Sequence, residues 1–177
     1  MLRTTVFIAF SALVAFTMSS ADFSQPKPKK KKTVAKKTEA PAANKNESIV
    51  WYNMTEGYAK AKKEKKILVV DLYTDWCYWC KVMDQNTYVN QAIIKKMKSY
   101  CVAVKFNPEV EGTHTVNDQT LSSAQLMAYL NRGGRSSGYP TTYFWKKLAD
   151  NSKISSYPGY RDTAQFNEIL NKIIQEQ

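Results

Sequence analysis

Two thiols three residues apart, Cys77 and Cys80, stand in the run Trp76-Cys77-Tyr78-Trp79-Cys80. A strand-like apolar stretch, Ile67-Leu68-Val69-Val70-Asp71-Leu72-Tyr73, leads straight into them. On a strand-to-helix turn, sulfurs at i and i+3 can reach each other, and a helix N-terminus holds the first as a thiolate. That arrangement suits thiol–disulfide exchange. A C-x-x-C motif alone is weak evidence, and its position after a buried strand strengthens it. Three further residues fit the same site. Asp71 lies six residues before Cys77, where a carboxylate is expected to be buried beneath the dithiol. Lys105 lies in the next strand-like run, within reach of that carboxylate. Pro140 follows Tyr139 at the start of a third run, a place suited to a cis peptide in a tight bend, since proline cannot donate to a ladder.

The elements that must position these residues follow from patterning. Residues 54–66 read as a lysine-rich helix with Trp51, Met54, Tyr58 and Ala61 on its apolar side. Residues 67–74 are apolar and β-branched enough for a central strand covered on both faces. A helix is expected from Cys77 past Met83, and a second, capped by Asn90, carries Ile93, Ile94 and Met97. Residues 101–106 form the next strand, ended by Asn107-Pro108, and 108–119 read as a polar loop. Leu121 to Leu130 reads as a helix capped near Ser122 and stopped by Gly133-Gly134. A strand over 141–145, a turn at Asp150-Asn151 and a hairpin partner over 153–157 come next. Asp162 caps a last helix with Phe166, Ile169, Leu170 and Ile173 at helical spacing. This order predicts an α/β fold with a mixed central sheet.

The chain has 177 residues and a net charge of +11, enough length for one domain. Arg3, the short apolar run from Val6 to Phe16 and Ser19-Ser20-Ala21 read as a signal peptide over 1–21, cleaved after Ala21, with an uncleaved N-terminal anchor as the alternative. Either way the domain is expected to be exported, into an oxidising compartment, periplasmic or extracellular. Residues 22–47 hold eight lysines against Asp22, Glu39 and Glu47, three prolines and no aromatic after Phe23. They read as a disordered Lys/Pro/Ala-rich linker, a solvated spacer first and a contact for an anionic surface second. Without aromatics to stack on bases, the run does not suggest nucleic-acid binding. The folded domain is expected over 48–177.

With these motifs in view, the domain resembles the thioredoxin family. "VVDLYTDWCYWCK" is similar to its strand and active-site helix, "VAVKFN" to the next strand, and "GYPTTYFW" to the cis-proline strand. Gly159 falls where the family places a glycine before its last helix. Within the family, the W-C-x-x-C-K context and the "PGYRD" ending resemble exported domains like the C-terminal domain of the thiol:disulfide interchange reductase. The resemblance implies a thioredoxin fold with helices on both sheet faces. It implies Cys77 as the exposed nucleophile, Cys80 as the buried resolving thiol and a Cys77–Cys80 disulfide in the oxidised state. It also implies Asp71 as the acid exchanging a proton with Cys80, helped by Lys105. Trp76, Tyr78, Trp79, Tyr139 and Pro140 would border the substrate groove. The substrates would be protein disulfides or dithiols, with a membrane protein as electron donor and no organic cofactor or metal.

Two departures stand out. The stretch between Asn107 and Pro140 is longer than in a minimal thioredoxin, so Glu109, Glu111, His114 and the Gly133–Gly138 loop are expected in an added loop or helix near the groove. Tyr78 and Trp79 place two large aromatics between the cysteines, and the absence of a histidine there argues against a strongly oxidising pair. Rival chemistries fare worse. A zinc site would need Cys77, Cys80, Cys101 and His114 together, and the strand placement of Cys101, read as an inert buried thiol, opposes that. Haem attachment needs a histidine where Lys81 stands. Cys–His hydrolase chemistry would rest on His114 alone. A binding module that never turns over would have no need of Cys80.

Overall fold

In the computed structural model, which describes residues 47–134 and 138–176, five strands form one sheet and a polar hairpin a second. The signal peptide expected over 1–21, and nearly all of the linker expected over 22–47, lie outside the described residues. The strands are β1 (Trp51–Tyr52), β2 (Ile67–Leu72), β3 (Cys101–Phe106), β4 (Thr113–Val116), β5 (Gln119–Ser122), β6 (Thr141–Trp145) and β7 (Ile154–Pro158). The helices are α1 (Met54–Glu64), α2 (Tyr78–Asn86), α3 (Gln91–Tyr100), α4 (Ser123–Leu130) and α5 (Thr163–Gln175). Sheet order is β1-β3-β2-β6-β7. β1 and β2 flank β3 in parallel, while β6 pairs antiparallel with both β2 and β7.

All six residues of β2 are buried, which is why this strand carries no polar alternation. Its side chains still divide by the period of two. Leu68, Val70 and Leu72 join Met54, Tyr58 and Ala61 of α1 and Leu126 and Leu130 of α4 in one core. Ile67 and Val69 join Met83 of α2, Ile93 and Met97 of α3 and Phe166 and Leu170 of α5 in the other. Asp71 is in step with Ile67 and Val69, so it faces the layer to which α2 belongs.

The helix starts obey local chemistry. Asn53 Oδ1 accepts from the Glu56 amide at 2.9 Å, and α3 opens on Asn90 in the same way. α4 and α5 open on reciprocal capping boxes, Ser122 with Gln125 and Asp162 with Gln165. α1 ends on Lys65 in the left-handed region (φ 55). Gly57 is where α1 meets the sheet most closely: a Cβ there would lie 2.1 Å from Val104 Cγ2.

Three expectations are corrected. Trp51 belongs to β1, paired with Ala103, because the Asn53 cap forces extended backbone before α1. Residues 113–122, read as loop and helix start, form the β4–β5 hairpin, so Leu121 is a strand residue. Its two-residue turn, Asn117 and Asp118, has both residues in the left-handed region (φ 52 and 61), the geometry that suits a tight hairpin. Within the described residues the added segment before β6 is therefore a hairpin followed by α4, and residues 135–137 of the expected Gly133–Gly138 loop lie outside them. Cys77 itself lies just outside α2, as its N-cap.

Candidate active site

β2 and the turn after it deliver Cys77 to the N-terminus of α2. The Cys77 amide donates to the Thr74 carbonyl at 3.1 Å, closing the turn. Cys77 and Cys80 are joined by a disulfide with an S–S distance of 2.01 Å. The Cys77 sulfur serves as the helix cap, accepting the Cys80 amide at 3.1 Å. A helix N-terminus and an amide aimed at this sulfur both favour negative charge on it after reduction. In the disulfide form Cys77 is not the exposed sulfur that the resemblance implies. It is 4% exposed, because its sulfur is bonded to that of Cys80 and turned over the helix start.

The polar centre behind the disulfide is built on Lys105. Asp71 and Lys105 are register partners on β2 and β3, and Lys105 Nζ lies 2.5 Å from Asp71 Oδ2. The same ammonium lies 2.5 Å from Asp84 Oδ1, and Asp84 sits one turn of α2 beyond Cys80. The Tyr88 hydroxyl donates to Asp71 Oδ1 at 3.1 Å. The rings of Trp51, Tyr73 and Tyr88 surround Nζ at 4.8, 5.2 and 5.3 Å from their centroids. Exposure rises outward through this chain, with side chains of Asp71 at 2%, Lys105 at 19% and Asp84 at 44%.

Burial pushes the Asp71 carboxyl above its ordinary range, although the Lys105 ammonium pulls it back. Burial works to lower Lys105, but the attraction of Asp71 and Asp84 outweighs it and the net shift is upward. Tyr88 is driven well above the usual tyrosine range by burial and by the carboxylate it faces. Thr74, in the turn before Cys77, buries a hydroxyl that finds no hydrogen-bond partner.

Around the disulfide lies an aromatic rim. Trp76, Tyr78 and Trp79 are 66%, 68% and 53% exposed. Trp76 stands edge-on to Tyr139 at 5.6 Å, and Trp79 packs against Tyr160 at 5.3 Å. The Tyr139–Pro140 peptide is cis, and Pro140 is buried at the start of β6. The Trp76 indole donates to both oxygens of Glu109, at 3.1 and 3.0 Å. Glu109 is itself held by its backbone N–H, which donates to Asn107 Oδ1 at 3.0 Å.

Cys101 and His114 stand apart from this group. Cys101 pairs with Ile67, at the opposite end of β2 from Cys77, and burial pushes its thiol up to about 12. His114 hydrogen-bonds Ser123 Oγ at 3.0 Å and packs on Phe106. Sequence reasoning did not find Asp84, Tyr88 or Tyr160. The spacing of Asp84, four residues after Cys80 and so on the same helical face, is a signal that could have found it.

A five-stranded mixed sheet with a cysteine pair at the start of its second helix defines a thioredoxin-fold protein of oxidoreductase type. Over residues 34–176 the chain matches, and so belongs to, the Thioredox_DsbH family, described as a protein of unknown function, DUF255. The thiol:disulfide interchange protein DsbD of Vibrio vulnificus (strain CMCP6) is 25% identical over 115 residues, 65% of this chain and 17% of that protein. The chain thus spans about 17% of the length of that curated relative. A thioredoxin from Thermus thermophilus superposes with a TM-score of 0.54 at 19% identity, covering 72% of this chain and 88% of that one. A structure described as DsbH oxidoreductase gives 0.50 at 16% identity, covering 90% and 96%. At these identities the structural likeness speaks for the fold.

Proposed function

We propose that this protein is an exported thiol:disulfide oxidoreductase that passes two electrons between Cys77–Cys80 and disulfides of other proteins, as a reductase or in interchange. The observation that carries this reading is the Cys77–Cys80 disulfide at the N-terminus of α2, its first sulfur accepting the Cys80 amide. In the dithiol state the Cys77 thiolate attacks a substrate disulfide, forming a mixed disulfide and releasing one substrate thiolate. Cys80 loses its proton to Asp71, attacks the Cys77 sulfur and releases the second substrate thiol. The substrate gains two electrons and the enzyme ends as the disulfide.

A raised carboxyl pKa suits Asp71 to this exchange, since it lies closer to that of the thiol it serves. Lys105 is then a positioning residue that sets how readily Asp71 takes the proton. Trp76, Tyr78, Trp79, Tyr139 and Pro140 border the surface on which a substrate segment lies. In this reading residues 1–21 direct export, 22–47 form a spacer to the domain over 48–177, and a membrane protein supplies electrons.

The test is the reduction potential of the Cys77–Cys80 pair, measured against glutathione buffers. A value near roughly −270 mV fits a reductase, and one near roughly −120 mV would make the protein an oxidant. No reversible dithiol transition would leave a binding module. The Cys80→Ser variant adds an independent readout, because an exchange enzyme then accumulates mixed disulfides with its substrates.

A further inference from the structure

The end of the sheet opposite the disulfide is crowded with lysine. β2 begins just after Lys65 and Lys66 and leads to Cys77 at its other end. β6 runs back with Trp145 opposite Leu68, and β7 sets Ile154 opposite Trp145. The register therefore gathers Lys65, Lys66, Lys146, Lys147 and Lys153 at one pole, joined by Lys62 from the last turn of α1. A strand of six residues separates this pole from the redox end by roughly 20 Å.

The pole is open, and Lys62 is paired only at 4.0 Å, with Asp118. Lys62, Lys65, Lys147 and Lys153 are exposed. Lys65, Lys146, Lys147 and Lys153, with Glu176, line a concavity of about 510 Å³. Glu64 pairs with Lys66 and Glu176 with Lys146, at 3.1 and 2.8 Å. Among the described residues no ion pair engages Lys65, Lys147 or Lys153, although Asp150 feels the charge of the last two. The site residues at the other end carry mixed charge, with Asp75 and Glu109 beside Lys81 and with Lys105 paired to Asp71 and Asp84.

We propose that this lysine pole docks the domain on an anionic lipid bilayer, with the Cys77–Cys80 end turned away from the membrane. Compact ammonium charges on flexible stems, without a fixed guanidinium fork, suit a diffuse sheet of headgroup charge. Tyr100, 45% exposed beside Cys101, is a single ring at this end, whereas a platform for successive nucleic-acid bases uses several. The chain also enters the domain here: Glu47 pairs with Lys98 at 3.2 Å, and Lys66 Nζ donates to the Lys98 carbonyl at 2.9 Å. The eight lysines of residues 22–47 therefore lie upstream of this entry point in sequence.

The test is co-sedimentation of the full chain with phosphatidylcholine vesicles, with and without phosphatidylglycerol, at about 0.1 M salt. An apolar N-terminal segment would act on both vesicle types, so the difference between them reads the charge attraction. The pole variant Lys147→Gln/Lys153→Gln keeps every lysine of residues 22–47. Its anionic preference should fall by about fivefold per lysine removed, roughly 25-fold in all. Lys95→Gln/Lys96→Gln, which removes the same charge from α3, should change it far less. An unchanged redox midpoint in both variants verifies folding. Equal losses in the two variants, no loss in the pole variant, or a larger loss on single-stranded oligonucleotide than on vesicles would each overturn the proposal.

Discussion

Replacing Lys105 by methionine removes the ammonium while leaving a stem of similar length among Trp51, Tyr73 and Tyr88. Asp84, with its side chain 44% exposed, can turn to water at little cost. Asp71, at 2%, cannot. The folded chain must then hold an unpaired buried carboxylate, at several kcal/mol, or protonate it. Protonation sets the ceiling. At about 1.36 kcal/mol per pH unit, keeping a carboxyl of ordinary pKa 3.8 neutral costs about 4 kcal/mol at pH 7 and about 1.6 kcal/mol at pH 5. The wild-type fold already bears part of this cost, since Asp71 is raised even beside Lys105. The sign follows from proton uptake: with a raised folded pKa, the folded state binds more protons than the unfolded one. Stability therefore falls as pH climbs from 3.8 through the folded pKa, and losing Lys105 extends that window upward. Urea unfolding of the oxidised protein should show a loss of about 2–4 kcal/mol at pH 7, shrinking below about 1.6 kcal/mol at pH 5. The double variant Lys105→Met/Asp71→Asn should recover most of the pH 7 loss. A penalty equal at both pH values, or larger at pH 5, would refute the assignment of Asp71 as the group Lys105 compensates.

Four further outcomes are expected. Asp71→Asn should slow resolution of the mixed disulfide about a hundredfold at pH 7, with the defect shrinking as pH rises and hydroxide takes over the proton transfer; a pH-independent defect in stopped-flow traces would exclude the proton role. Glu109→Ala frees the Trp76 indole on an exposed loop, so stability should stay within about 0.5 kcal/mol while KM for a protein disulfide rises severalfold. A fall in kcat with KM unchanged would contradict that. Gly57→Ala drives a methyl into Val104, and overpacking should outweigh the gain in helix propensity by about 2 kcal/mol in thermal unfolding. Thr74→Val removes the unpartnered buried hydroxyl at nearly constant volume and should stabilise by about 1 kcal/mol.

What could be read in the sequence was what burial writes locally. The apolar run of β2, interrupted by Asp71, and the caps at Asn90, Ser122 and Asp162 each follow from a few neighbouring residues, and each is present. The β4–β5 hairpin was hidden because its strands are mostly exposed and polar, leaving only the Asn117-Asp118 turn to announce it. The polar centre was half legible for a related reason. Asp71 and Lys105 are anomalies inside apolar strands, so each draws notice by itself. Asp84 and Tyr88 are ordinary residues on and after a helix, and their roles show when packing brings them to Lys105 and Asp71. Their contribution is nonetheless what makes the anomaly tolerable. Asp71 alone could pair with Lys105, but an ammonium shared with a partly exposed second carboxylate keeps contact with solvent through that partner. Tyr88 meanwhile satisfies the second oxygen of Asp71 from within the core. A buried acid remains at this place because its compensation is divided between an outward carboxylate and an inward hydroxyl, of which only the carboxylate left a trace in its own stretch of sequence, by its spacing from Cys80.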